Sequence, residues 1–328
     1  RECALALRHN KSTDAAALWA ALAMQHDGKD RWYLEALGIG ADRQWNNFFT
    51  AYLAMVKDPL QNNATTDIVW RARTDKAVGY LATLAADSEQ PLQNRLRYFR
   101  AFDFNDGPAK AKLLLAMIAN KTSNDIALNK LVLHALDIKA VTNSAEAQKA
   151  LSQVLQSVNG TDEYIELVSR YQVKSQNKNL LQLAINKPNQ AVGKNAAGLL
   201  LQFGGSKLMW MVINGKDSAQ QENLLASLAG VGSSQSVDML QTIALSNKYA
   251  MPLRKKAAHK IGKSWTGEER VLAILKNKKV PAELIADVVA SVSGAWRASV
   301  RGEAASYLPG NGKSETAKAA PTIKELLA

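Results

Sequence analysis

The apolar residues of this chain recur with the period of an α-helix. In one clear segment they fall at positions i, i+3, i+4, i+7 and i+11, a spacing that places them on one helix face. These residues are Trp45, Phe48, Phe49, Tyr52 and Val56. The segment from Leu128 to Ala135 follows the same rule. Alternating β-branched and polar residues with Asn-Gly or Asp-Gly turns are nearly absent, so the pattern predicts helices and no sheet.

A similar phrase occurs three times in the second half of the chain. A basic or polar residue, an Ala-Ala pair, an apolar pair and a glycine follow one another at helical spacing in segments 192–204, 253–262 and 300–310. Glycine is the residue that most often ends a helix in the left-handed conformation. Candidate helix-ending glycines, spaced by 28, 30 and 32 residues, are Gly204, Gly232, Gly262 and Gly294.

A period of roughly 20 to 50 residues is typical of helical repeats. The sequence therefore predicts an all-α fold, a right-handed α-α superhelix of antiparallel helix pairs like those of HEAT and armadillo repeats. The alternative is an irregular helical bundle in which the glycine spacing is a coincidence. The phase of the repeat places Leu200 and Ile261 in the core.

Length and composition fit a repeat array. The chain has 328 residues, of which 47% are hydrophobic. Repeat arrays have no single central core, so this length does not require a division into domains. We predict one helical-repeat domain over residues 1–308. No apolar run approaches the roughly 20 residues that span a membrane.

Both ends of the chain suggest a piece of a longer protein. The first eight residues have the pattern of a repeat helix, with neither an initiator methionine nor a signal peptide. Residues 309–328 begin with small and polar residues and end in a short apolar stretch. We predict that they form a linker or tail toward a further domain.

No pattern typical of a catalytic or metal site is present in the sequence. The four histidines lie far apart and show no His-x-x-x-His spacing. Cys3 has no partner, and we expect it to fill a buried helix face as a small apolar residue. The segment 310–314 resembles a phosphate loop but has Tyr307 where that loop requires glycine. We expect the chain by itself to be no enzyme and to hold no cofactor or metal.

A first candidate site combines ionic and aromatic residues near Asp30. On a helix, Arg31 and Glu35 stand four residues apart and can pair. Asp30 is placed to cap the start of that helix, and Trp32 would pack toward the neighbouring repeat. Arg31 and Trp32 are also candidates for contact with a partner, and both interpretations remain open.

Net charge provides a second candidate site. The chain carries a net charge of +12, and residues 250–301 hold 11 Lys or Arg against 4 Asp or Glu. Such a surface could bind phosphates, steer an acidic protein domain, or be a solvated face without a partner. The candidate partner-binding cations are Arg254, Lys255, Lys256, Lys276, Lys278 and Lys279.

Two N-terminal segments carry a resemblance to a known family. The segments are 17–23, Ala-Leu-Trp-Ala-Ala-Leu-Ala, and 27–42, Asp-Gly-Lys-Asp-Arg-Trp-Tyr-Leu-Glu-Ala-Leu-Gly-Ile-Gly-Ala-Asp. They resemble the HEAT-like repeat region of large bacterial haem-binding, dehydrogenase-like proteins first grouped from Planctomycetes, Verrucomicrobia and Bacteroidetes. In that family a β-propeller precedes the repeats and a c-type cytochrome domain follows them. The resemblance is specific over about residues 1–55 and only architectural beyond.

The resemblance implies a non-catalytic scaffold that spaces and orients a dehydrogenase-like propeller and a c-type cytochrome domain. It also implies a periplasmic or membrane-associated extracytoplasmic location, and partners that are adjoining domains or another protein. The chain departs from the family in having one cysteine and no Cys-x-x-Cys-His. It cannot attach a c-type haem itself, so the haem is expected in a downstream domain.

A nucleic-acid-binding or DNA-repair function is the alternative. Some DNA glycosylases consist of HEAT-like repeats with a basic face and tryptophans, and this chain has seven Trp. Four of them, Trp19, Trp32, Trp45 and Trp70, lie far in sequence from the densest cations. The sequence therefore predicts that aromatic and basic residues are not interleaved, as a base-stacking channel requires.

Overall fold

The computed structural model describes residues 1–105, 107–119 and 125–309, and these residues form α-helices with short 3-10 helices and no β-strand. The predicted all-α helical-repeat fold is confirmed. Most of the predicted tail, from residue 310 onward, lies outside the described residues. The helices cluster into two compact units, unit 1 from Arg1 to Ser157 and unit 2 from Val158 onward. The sequence pattern predicted no such division.

The described part of unit 1 contains α1 (Glu2–Ala6), α2 (Ala15–Ala23), α3 (Arg31–Gly40), α4 (Trp45–Met55), α5 (Asn63–Arg71), α6 (Asp75–Ala86), α7 (Leu92–Ala101), α8 (Pro108–Ala119), α9 (Ile126–Ala135), α10 (Ile138–Thr142) and α11 (Ala145–Ser157). Its 3-10 helices are Leu7–His9 and Phe102–Phe104. Helices α1, α3, α5, α7 and α9 pack one beside the next as one layer, and α2, α4, α6 and α8 pack as a second layer against them. Unit 1 is therefore a two-layered stack of helices.

The described part of unit 2 contains α12 (Asp162–Arg170), α13 (Asn177–Asn186), α14 (Ala191–Gln202), α15 (Ser206–Ile213), α16 (Ser218–Val231), α17 (Ser234–Leu245), α18 (Met251–Ala258), α19 (Trp265–Lys276), α20 (Ile285–Ser291) and α21 (Ala298–Ala305). Its 3-10 helices are Lys174–Gln176 and Ala282–Leu284. Helices α12, α14, α16, α18 and α20 form one layer. On the other side α13 packs on α15, and α17, α19 and α21 pack in succession.

The glycine period follows one layer of unit 2. Gly204, Gly232, Gly262 and Gly294 come shortly after the ends of α14, α16, α18 and α20, which are successive helices of the same layer. Gly204 and Gly232 adopt the left-handed conformation, with φ of 76° and 66°. Gly262 and Gly294 do not, so the left-handed conformation expected after the helix end is wrong for them, although α18 and α20 do end shortly before these glycines. At Gly262 the requirement is space, since a Cβ would lie 2.4 Å from Val292 Cγ1.

The Ala-Ala pairs of the repeated phrase lie at contacts between helices. Ala196 and Ala197 on α14, and Ala257 and Ala258 on α18, are fully buried. The third phrase lies on α21, in the other layer, so it does not repeat the same structural position. Small side chains allow neighbouring helices to approach closely, and this explains why the phrase recurs.

The aromatic core of unit 1 lies where periodicity placed it. On α4, Trp45, Phe48, Phe49 and Tyr52 are buried. Trp19 of α2 packs edge-on against Trp45 with ring centroids 5.5 Å apart, and its indole N–H donates to the carbonyl of Leu37. Burial raises the pKa of Tyr52 to about 12. The packing of α2 on α4 is therefore fixed by edge-on and tilted ring contacts of Trp19.

The prediction for Cys3 is wrong, because its side chain is exposed on α1. We expect one thiol per chain to react with 5,5′-dithiobis(2-nitrobenzoate) in the native protein, since no packing shields it. The measurement is the absorbance at the reagent's product band, with and without denaturant. A thiol that reacts only after denaturation would contradict the exposed position.

Candidate binding surfaces

An ionic network centred on Asp67, in the middle of α5, fixes an arginine against a tryptophan. Asp67 is buried and accepts from Arg97 Nη2 at 2.6 Å through Oδ1. Its other oxygen lies 3.0 Å from Nε2 of the buried His26. The Arg97 guanidinium carbon lies 4.1 Å from the centroid of the Trp70 ring. The Trp70 N–H donates in turn to the Arg97 carbonyl at 3.2 Å. The Arg97 guanidinium is therefore held by Asp67 and by the Trp70 ring, and its backbone carbonyl is held by the Trp70 N–H.

This pair lies in a groove across three neighbouring helices of one layer, which we name the Trp70 groove. Its first part has a volume of about 620 Å³ and its second about 680 Å³, and the two parts share Trp70 and Arg97. Helices α3, α5 and α7 supply the walls. The charged lining residues are Lys29, Arg31, Asp67, Arg97, Arg100 and Asp103.

A second arginine–aromatic pair lies at the end of the Trp70 groove. Phe104 is 61% exposed, and the Arg73 guanidinium carbon lies 4.0 Å from its ring centroid. Arg73 also donates to the carbonyls of Trp70 and Ala72. Burial lowers the pKa of Arg73 to about 10, so the side chain stays cationic at neutral pH. Two arginine–aromatic contacts, Arg97 with Trp70 and Arg73 with Phe104, therefore lie at or beside the Trp70 groove.

The first candidate site is only partly as predicted. Asp30 caps α3, accepting from the Tyr33 N–H at 3.0 Å, and Leu34 and Leu37 are buried. Glu35, however, pairs with Arg71 of α5 at 3.2 Å. The predicted packing of Trp32 is wrong, because its side chain is 70% exposed. Arg31 is exposed and lines the Trp70 groove.

The placement of Arg254 on a basic surface is wrong. Arg254 is 6% exposed, and its Nε donates to the carbonyl of Ala244 at 3.0 Å. The reason is the phase of α18, which turns this position toward the end of α17 instead of toward solvent. Its neighbour Lys255 is exposed, and half-buried Lys256 pairs with Glu222.

The remaining predicted cations lie on the surface at the end of α19. Lys276 pairs with Glu303 at 2.8 Å, and this hydrogen bond raises the pKa of Lys276 above its usual value. Lys278 and Lys279 are exposed in the following loop. The candidate cations thus occupy separate elements, and two of them are already paired with carboxylates.

The prediction that aromatic and basic residues are not interleaved is also wrong. Trp265, 59% exposed, lies within the basic segment of unit 2 under the Arg297 guanidinium, at 3.8 Å. The adjacent Trp296 is 90% exposed. Trp265 and Trp296 lie inside the basic segment 250–301 of the sequence, so their position among the cations could have been predicted. The pairing of Trp265 with Arg297 could not, because the two residues are 32 positions apart and only the packing of α19 beside α21 brings them together.

Within the described residues, no group of three or more His, Cys, Asp or Glu side chains is arranged to hold a metal ion. No single helix in this part of the chain is long and apolar enough to cross a membrane, although α14 and α15, bent by 117°, meet those criteria as a pair.

Comparison with known proteins yields little. No family model and no curated protein matches the sequence. A solved structure described as the crystal structure of an engineered protein aligns over 93% of this chain and 93% of its own, with 14% sequence identity and a TM-score of 0.31. A score that low supports no conclusion about fold or function.

Proposed function

We propose that the chain is a non-catalytic helical-repeat scaffold in a larger bacterial protein of the periplasm or the membrane periphery. There it spaces and orients a dehydrogenase-like propeller and a c-type cytochrome domain. One observation carries the proposal: the segment with the family resemblance, 27–42, lines the Trp70 groove through Gly28, Lys29, Arg31 and Leu34. This segment contains helix α3, which packs in the stack, and it also borders a groove. Such a position is suited to docking an adjoining domain.

The stacked layers suit this role. Each helix contacts mainly its neighbours in the stack, so the position of one repeat is fixed by the repeats next to it. The side chains on the outer surface remain available for contacts with other domains. Trp32 is a case in point, because its ring contributes nothing to the core. Exposed tryptophans of this kind are common anchors at protein interfaces.

The decisive experiment concerns the gene that encodes the chain. Sequencing the codons on both sides should show a propeller before residue 1 and Cys-x-x-Cys-His after residue 328, in one reading frame. A reading frame that closes without that motif would remove the scaffold proposal.

We expect the isolated chain to bind no haem, flavin, nicotinamide or divalent metal. The reason is that the sequence has one cysteine and none of the ligand spacings that these groups require. The measurements are the visible absorption spectrum and elemental analysis of the purified protein. Stoichiometric zinc, or an absorption band at wavelengths longer than those at which the protein's own side chains absorb, would contradict this expectation.

Nucleic-acid binding is the second candidate, because Trp265 and Arg297 stack within the basic segment of unit 2. Under the scaffold proposal, duplex DNA should bind only weakly, with dissociation constants of roughly 10⁻⁴ to 10⁻⁶ M that rise steeply with salt. Under the repair alternative, a mismatched duplex should bind far more tightly than an intact one, because unpairing is then less costly.

Titrating both duplexes at two salt concentrations distinguishes these functions. The matched variant is Lys255→Glu with Lys256→Glu, which reverses charge on α18 without touching buried Arg254. If the parent chain strongly prefers the mismatched duplex and this variant loses that preference, the repair function is favoured. Equal and weak binding of both duplexes would favour the scaffold.

A further inference from the structure

We propose that the Trp70 groove binds an extended acidic peptide segment in which carboxylate side chains alternate with apolar ones. This inference rests on the scaffold function and names the chemistry of the segment that docks. It concerns unit 1 alone, whereas the basic surface discussed above belongs to unit 2.

The cations of the groove are suited to bind carboxylate side chains of a ligand. Lys29, Arg31 and Arg100 are exposed, and Arg97 uses one nitrogen of its planar fork on Asp67. Guanidinium groups match carboxylate geometry with two parallel hydrogen bonds. Asp67 and Trp70 already fix the Arg97 rotamer, so a ligand would bind it with less loss of side-chain entropy.

The apolar surface of the groove is suited to bind apolar side chains of the same ligand. Phe104 and Leu96 are exposed, at 61% and 37%, and both line the second part of the groove beside Arg100. Gln93 and Asn94 line both parts of the groove, and their amide side chains can donate to and accept from an extended peptide backbone. A segment with both acidic and apolar side chains matches a groove that presents both cations and apolar side chains.

An exposed carboxylate of the groove disfavours a nucleic acid. Each strand of a duplex carries one phosphate about every 3.4 Å along the helix axis, so a nucleic acid is a closely and evenly charged polyanion. Asp103 is exposed in the second part of the groove and would repel such a polyanion. In a peptide, the spacing of carboxylates can avoid Asp103. The geometry therefore favours a protein segment over an oligonucleotide.

The size of the groove sets the length of the ligand. Neighbouring helices in a layer lie about 8–10 Å apart, so α3, α5 and α7 cover roughly 20 Å. An extended chain rises about 3.3 Å per residue. Roughly six residues therefore match the groove at this rise per residue, and an eight-residue peptide covers it with a residue to spare at each end.

The test is a fluorescence anisotropy titration of the full chain with labelled eight-residue probes. The probes are an alternating Glu-Leu peptide, its Lys-Leu counterpart and a thymidine octanucleotide. We expect saturable binding of the Glu-Leu peptide, weaker binding of the octanucleotide and none of the Lys-Leu peptide. Arg31→Ala and Arg100→Ala should each weaken Glu-Leu binding by about threefold to tenfold, as the loss of one charge-assisted contact predicts.

The matched control is Lys57→Ala, which removes an exposed cation of unit 1 outside the groove. It should change the dissociation constant less than about twofold, because distant exposed charges are screened. Circular dichroism spectra of all three variants should match that of the parent chain.

Three results would overturn the proposal. These are no saturable binding of the Glu-Leu peptide, binding that Arg31→Ala and Arg100→Ala leave unchanged, and tighter binding of the octanucleotide that Arg100→Ala abolishes. The reading-frame experiment is independent of them. A downstream Cys-x-x-Cys-His with no peptide binding would leave the scaffold standing and remove only this use of the groove.

Discussion

Leu200→Ala should lower the free energy of unfolding by about 2–5 kcal/mol, since it deletes a fully buried side chain and leaves a cavity. Leu200 is 0% exposed on α14. Its side chain lies directly over Gly205, where an added Cβ would come within 2.1 Å of Leu200 Cδ1. The tight turn after α14 allows little collapse around the missing methyl groups, so we expect a cost in the upper half of that range.

Urea unfolding followed by far-UV circular dichroism provides the measurement. Ile261→Ala, at a position 1% exposed, should behave similarly. The control is Met211→Ala on α15, also in unit 2, where the side chain is 64% exposed and the expected change is within about 0.5 kcal/mol. Unfolding midpoints for Leu200→Ala that match those of the control would show that α14 presents a different face to the core.

The fold could be predicted from the sequence because helix periodicity and glycine spacing are local signals. The buried positions on α4 recur at i, i+3, i+4 and i+7, as a helix with one face in the core requires. The glycine period follows one layer of unit 2. The conformation of Gly262 could not be predicted, because close packing and helix termination select the same residue for different reasons. Gly294 has neither a positive φ nor a neighbour within 4 Å of an added Cβ, so nothing in the structure explains a glycine there. The division after Ser157 falls in a turn-rich stretch, residues 157–162, but similar stretches at 58–66 and 103–108 lie inside unit 1. Which break separates the units depends on contacts between distant helices.

The candidate site was harder to predict, for a physical reason. The Trp70 groove is built from side chains about 30 residues apart, which only the stacking of repeats brings together. Glu35 shows the consequence. Its i−4 neighbour Arg31 was available on the same helix, yet it pairs with Arg71 on the next helix of the layer. Contacts between repeats compete with contacts inside a helix, and one sequence does not show which is stronger.

Arg254 shares its structural role with an arginine in the other unit. Arg95 Nε donates to the carbonyl of Ala85 at 3.0 Å, as Arg254 does to Ala244. In both cases the acceptor lies ten residues upstream, in the last turn of the preceding helix of the chain, α6 or α17. Carbonyls in a last turn have no partner within the helix. A cation there is also favoured by the helix dipole.

Arg254→Ala should therefore lower the free energy of unfolding by about 2–4 kcal/mol. The Ala244 carbonyl would lose its donor in a buried place, which costs roughly 1–3 kcal/mol, and the aliphatic part of the side chain would lose its packing. The variant no longer buries a charged guanidinium, which itself costs free energy, and this offsets part of the loss. The control is Lys255→Ala, one residue along α18 and exposed, for which we expect a change within about 0.5 kcal/mol. If the two variants are equally stable in urea unfolding and Arg254→Ala binds DNA more weakly, then Arg254 belongs to the basic surface and not to the core.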